Sequence, residues 1–272
     1  MKEIFKAMIV SMGIVSCSLA ISADEPPKPI ARVYDSFIYE KDLEVPLKLL
    51  QENRQKLSKE SYENWEKEYK LNLLEGLMWR SLSDHFLSEQ GIKPIQDEIE
   101  AFVSFLKVQD SVQLDKFQKE RREILEKLKA PNLKEGEKNS LSKQLEIFDT
   151  AIQQELEIKE ENKKIPNYDQ IQEKSWRNIA SITITEWKFN KALYEKYGGR
   201  VIFQQAGLEP IDAYKQFLMA QRNKKTYEIL DSSFIHVFGG LEKYFEMEHT
   251  YVEEKDAMDY FLNPWWKSSI KK

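Results

Sequence analysis

The chain has 272 residues, of which 41% are hydrophobic and 12% aromatic, enough apolar surface for a sizeable core, so a mainly disordered chain is excluded. With only 9 Gly and 9 Pro it lacks the turn residues of a large barrel or sandwich, and with 32% charged residues and a mean hydropathy of -0.61 it reads as water-soluble and mainly helical. A net charge of -5 argues against nucleic acid as a partner, because such binding relies on a dense cationic face.

Residues 1–23 read as a Sec-type signal peptide: Lys2 and Lys6, an apolar run from Ala7 to Ile21, then Ser22-Ala23 before Asp24. The run is too short and too poorly flanked for a stable membrane span. Two alternatives stand beside this reading. Ile14-Val15-Ser16-Cys17 fits a loose lipobox that would leave Cys17 lipidated, and the segment also suits a buried N-terminal helix. Export implies the periplasm or the exterior, where ATP is absent. Cys17 is the single cysteine, so a chain cut after Ala23 has no thiol chemistry, and its net charge becomes -6 once Lys2, Glu3 and Lys6 leave. The proline-rich stretch 24–29 reads as an extended entry segment.

Ile30–Tyr34 and Phe37–Tyr39 read as a short strand hook. A helix is expected over 41–58, with Pro46 tolerable only in its first turn, and another over 62–90, with Ser61 as its cap. The second carries Leu71, Leu74, Met78 and Leu82 in a stripe that Leu73, Leu77 and Trp79 widen, as in a central, mostly buried helix. Gly91 suits a left-handed helix end, and Pro94 starts a further helix with Ile99, Phe102, Val103, Phe105 and Leu106 on its apolar face. From 112 to 164, apolar residues at steps of three, four and seven, broken by 131–136, suggest a coiled-coil-like helical hairpin. An arm and a compact bundle both suit this pattern. Short helices are expected over 168–179 and 183–197, a strand over 200–205, and helices over 209–222 and 234–247. The domains are therefore placed at 24–108, 109–165 for the hairpin arm, and 166–272 for a C-terminal helical region completing the body.

Ala31-Arg32-Val33, Ile38 and Asp42-Leu43, the apolar helix after them, and Gly91-Ile92 with Ile99 resemble the N-terminal domain of SurA-type periplasmic chaperones, which is itself similar to the peptide-cradling domain of trigger factor. The resemblance covers roughly 30–106, under a third of the chain. It implies a helical domain with a short β hook, completed by the last helices, that binds non-native polypeptide. The chain departs from the family at Tyr34-Asp35-Ser36, where the hook's turn usually has Asn or Gly, and at Ile95, where a Ser or Thr cap is usual. No stretch has the glycine-rich, histidine-bearing composition of a parvulin domain, so prolyl isomerase activity is not implied.

No catalytic, metal or cofactor signature stands out. His85, His236 and His249 are widely spaced, with His85 on an apolar stripe; the carboxylate run 155–161 suits a solvated face; Gly198-Gly199 and Gly239-Gly240 are isolated pairs. The aromatic excess is what remains. Trp79, Phe86, Phe102, Phe105, Tyr214 and Phe217 are the candidates for a groove that captures extended or unfolded polypeptide, each weighed against ordinary core packing. Trp265 and Trp266 either dock on the body or mark contact with an envelope partner. The leading expectation is an exported, ATP-independent chaperone-like protein without cofactor; a structural protein with one dedicated envelope partner is the alternative. An enzyme would need a deep polar pocket joining residues such as Tyr194, Arg200, Glu209 and His236. Oligomeric state is left open.

Overall fold

The computed structural model describes residues 28–204 and 207–268; the expected leader with Cys17 and most of the entry segment lie outside them. The fold is mainly helical, with a small antiparallel three-stranded sheet at the N-terminal end. In chain order the elements are β1 (Pro29–Val33), β2 (Ser36–Tyr39), α1 (Leu47–Lys56), α2 (Lys59–Glu89), α3 (Gln96–Leu128), α4 (Glu135–Asn162), α5 (Tyr168–Tyr197), β3 (Ile202–Gln204), β4 (Gly207–Glu209), α6 (Ile211–Asn223), β5 (Tyr227–Ile229), α7 (Gly239–Glu246), α8 (Glu254–Leu262) and α9 (Trp265–Ser268). The chain divides into two units, one holding residues up to Lys70 with Glu228–Ile235, the other Leu71–Tyr227 with His236 onward; α2 crosses the boundary.

In the first unit β1 and β2 form the expected hook, with Arg32 opposite Phe37 and Tyr34 in the left-handed region at φ 51. The far edge of β1 is taken by β5, which arrives almost two hundred residues later. Leu230 and Asp231 donate their N–H groups to the Ile30 carbonyl at 2.9 and 3.1 Å, and Arg32 pairs with Glu228. Ile30, Ala31, Val33, Leu43 and Val45 are buried. The helix expected over 41–58 is split into a 3-10 turn, Glu40–Leu43, and α1. Pro46 is the cause: it lacks an N–H, and its ring pushes Val45 out of the helical region. The cap of α2 is Ser58, whose hydroxyl accepts the Ser61 N–H at 3.3 Å; Ser61 itself lies inside the helix.

In the second unit α2 ends as expected, at Gly91 (φ 63), with the Ile92 N–H bonded to the Leu87 carbonyl at 2.8 Å. Two expected breaks are absent. α3 passes unbroken through 108, where a domain boundary was expected, and α5 runs through 179–183; no glycine or proline interrupts either stretch. α4 and α5 both pack on α3, one after the other along its length. Near its start α3 is tied to α5 by Lys188–Glu98 at 2.6 Å, Arg177–Glu100 at 2.9 Å and Lys107–Glu173 at 2.6 Å. Its far half pairs with α4 through Phe117–Phe148, with ring centroids 6.1 Å apart, and Arg121–Asp149. From Ser104 to the end of α4 the only buried side chain is Ile124.

The expected strand over 200–205 becomes the β3–β4 hairpin, and the helix expected over 234–247 becomes a 3-10 turn, Ser232–Phe234, followed by α7, which starts at the glycine pair. Glycines weaken a helix interior but are tolerated at its first turn. The Glu75 carboxylate of α2 accepts the Leu241 N–H at 3.3 Å and so caps α7.

Candidate functional site

The six aromatic residues expected to line a groove fall into two clusters, and within each the rings cover one another. Trp79 and Phe86 of α2, Phe189 of α5, and Tyr214 and Phe217 of α6 interlock mainly edge to face, with centroids 5.5 to 6.3 Å apart. Phe217 and Phe86 are 0% and 3% exposed, while Trp79 and Tyr214 are half-buried. In the second cluster Phe102 and Phe105 of α3 meet Trp265 and Trp266 of α9 at 5.0 to 5.6 Å, and Trp187 closes on Trp266 at 5.4 Å. Phe102 and Trp266 are buried and Phe105 and Trp265 half-buried.

Of the rings expected to meet a polypeptide or partner, Phe86, Phe102, Phe217 and Trp266 thus lie in the core while Trp79, Phe105, Tyr214 and Trp265 keep part of their surface open, and the tryptophan pair docks on the phenylalanines of α3. Each large ring removes 150–250 Å² from water when covered, so rings that can meet do so.

Beside the second cluster lies a polar centre that the sequence pattern did not single out. Glu186 of α5 and Glu209 of β4 line a cavity of about 20 Å³, room for about one water molecule, together with Thr183, Asn190 and Tyr260. Burial raises both carboxyls above the usual range, and the Glu209 charge raises Glu186 further. Tyr244 donates to Glu209 at 2.8 Å and in turn accepts from Gln204 Nε2 at 2.8 Å. Asn190 is held between Tyr214, which donates to its Oδ1 at 2.6 Å, and the Leu208 carbonyl, 3.4 Å from its Nδ2. Gly207 sits at φ 137, and a Cβ there would collide with the Tyr260 hydroxyl, so the wall of the cavity needs glycine.

The polar pocket sketched from the sequence is not assembled. Arg200 instead makes a two-pronged pair with Asp212 and stacks on Tyr251, Tyr194 packs on Phe261, and His236 is exposed. His85 stands half-exposed beside Glu89 at 3.1 Å. No group of three or more Asp, Glu, His or Cys able to hold a metal ion occurs among the described residues, and no helix among them is long and apolar enough to cross a membrane.

The apolar side chains left uncovered are aliphatic. On α5, Ile171, Ile179 and Ile182 are 55%, 44% and 60% exposed and share one face at spacings of eight and three. Ser175 and Asn178, also exposed, complete that face, and Glu186 lies one turn beyond Ile182, so the line runs up to the mouth of the acidic cavity. The signal was present in the sequence as isoleucines opposite the stripe carrying Ala180, Ile184 and Trp187; further along α5 the same line continues into the buried Asn190 and Leu193. Comparison of the chain with protein-family models, with curated proteins and with solved structures finds no match.

Proposed function

We propose that the protein is an exported, ATP-independent, chaperone-like protein that captures apolar polypeptide segments, without prolyl isomerase activity. The observation that carries this reading is the uncovered line Ile171–Ile179–Ile182 on α5, three β-branched aliphatics facing solvent on a helix whose opposite stripe is sealed. An amphipathic or extended segment laid along it would bury these side chains, and Glu186 at its end suits a basic residue following the apolar ones. The resemblance of residues 30–106 to the SurA-type domain supports the same reading. On this reading α3 beyond residue 108 and α4 form an inserted hairpin arm.

The test is aggregation of a denatured β-barrel outer-membrane polypeptide diluted from urea, followed by light scattering without nucleotide. Suppression near stoichiometric ratio is expected, and it should be lost in the Ile171→Asp/Ile182→Asp variant while Phe105→Leu retains it. No suppression at excess, or an unaffected double variant, overturns the proposal.

A further inference from the structure

A helix in a folded body normally seals at least one stripe, yet α4 has no buried side chain over its 28 residues. Its seam toward α3 (Leu141, Leu145, Phe148, Ile152) is half-buried, as a two-helix hairpin leaves it. A second apolar line lies about 100° around the helix from that seam: Ile147, Ala151 and Ile158, with Ile147 66% and Ile158 52% exposed. The line is short, and its charges are arranged in a polar order. Over 121–143, the hairpin's tip, seven Lys and Arg stand against four Glu, a net of +3. Over 146–162, the base half of α4, six Asp and Glu stand against Lys159, a net of -5. Lys143 and Glu161 flank the apolar line on the same edge, five turns apart; both are exposed, and neither has an ion-pair partner among the described residues.

This pattern is complementary to its own reverse. Turned about a two-fold axis beside Ala151 and Ile152, the line sets Ile147 against Ile158 of the partner subunit and Lys143 against Glu161 of the partner subunit, with the small Ala151 at the crossing, where backbones come closest. We propose that two copies of this chain pair antiparallel along the outer face of α4. A parallel pair would set basic tip on basic tip and acidic base on acidic base, so charge fixes the direction while the isoleucines supply the burial. A single helix pair buries less than a standard interface, so the association is weak and concentration-dependent.

Sedimentation of the full chain over roughly 1–200 µM tests this. A monomer–dimer equilibrium that weakens several-fold in 1 M salt is expected. Ile147→Asp, at an exposed site where folding is unaffected by circular dichroism, abolishes it. Lys143→Glu and Glu161→Lys each weaken it about tenfold alone. Mixed one to one, these two variants restore a heterodimer, because both contacts then join opposite charges, and the chain carrying both changes restores a homodimer. A monomer at every concentration, a dimer indifferent to Ile147→Asp, or reversed variants that fail to recover on mixing overturns the proposal.

Discussion

Replacing Trp266 with alanine separates a closed core from an open groove. The ring is 0% exposed and touches Phe102, Trp187 and Trp265 at 5.3, 5.4 and 5.6 Å, so its removal leaves a cavity that three large neighbours on different helices cannot refill. Buried Trp→Ala changes cost about 3–5 kcal/mol. Against this, the Trp266 Nε1 has no hydrogen-bond partner among the described residues, and releasing such a buried donor returns about 1 kcal/mol or more. The net is a loss of about 2–4 kcal/mol, which for a chain of this size lowers Tm by roughly 5–15 °C. Trp266→Phe keeps most of the volume and removes the orphan donor, so it stays within about 1 kcal/mol of the parent. Thermal unfolding followed by far-ultraviolet circular dichroism reads both. An alanine variant within about 1 kcal/mol of the parent would refute the sealed cluster and return Phe102 and Phe105 to the list of polypeptide-binding side chains.

Burial pushes the Glu75 carboxyl up to about 7, only partly offset by the Leu241 N–H, so the folded state holds a proton that the unfolded chain releases nearer 4.5. Stability contributed by this group is full below pH 4.5 and declines as pH rises to about 7; Glu75→Gln should stabilise the protein at pH 8, leave it unchanged at pH 4, and flatten that slope in urea titrations. The raised Glu186 and Glu209 carboxyls slope the same way, so part of the pH dependence survives the substitution. Tyr244→Phe removes the donor to Glu209 and leaves Gln204 without its acceptor, costing about 1–3 kcal/mol by chemical denaturation and moving the Glu209 titration further up. Gly207→Ala should cost about 1–3 kcal/mol through its positive φ and the Tyr260 hydroxyl; adding Tyr260→Phe should recover part of that loss in the same assay and no more, because the backbone strain remains.

Helix was legible from apolar spacing because a long amphipathic stripe needs no knowledge of its partner. The hook was legible for a related reason: Ala31, Val33 and Ile38 alternate over a distance that local sequence covers. The elements missed are those whose reason lies elsewhere in the chain. β4 and β5 have three residues each, too few to show a period, and β5 is a strand because β1 presents an open edge 196 residues before Glu228, where Arg32 waits. α3 and α5 were each expected in two pieces because the apolar pattern shifts face along them; the shift marks a change of neighbour, with α3 leaving α5 for α4, and not a break in the backbone.

The aromatic residues were harder to read than an element boundary. A stripe of Trp and Phe on a helix states that this face avoids water but not what will cover it, and two such stripes on different helices satisfy each other before any ligand arrives. Phe102 and Phe105 were expected to meet peptide, and Trp265 and Trp266 either to dock on the body or to meet a partner; ring contacts at 5.0–5.6 Å join the two pairs. The reverse holds for the aliphatics. Ile171, Ile182, Ile147 and Ile158 stand off the main stripes of α5 and α4, where helical spacing makes them look incidental. They stay uncovered because the neighbours of each helix, α3 for α4 and α3 with α6 for α5, pack against other parts of its surface. What remains open to a ligand on such a molecule is therefore set by which stripes find a partner: α2, α5 and α6 join in one aromatic cluster and α3, α5 and α9 in the other, while the isoleucines on the outer faces of α4 and α5 meet no helix and keep their access to water.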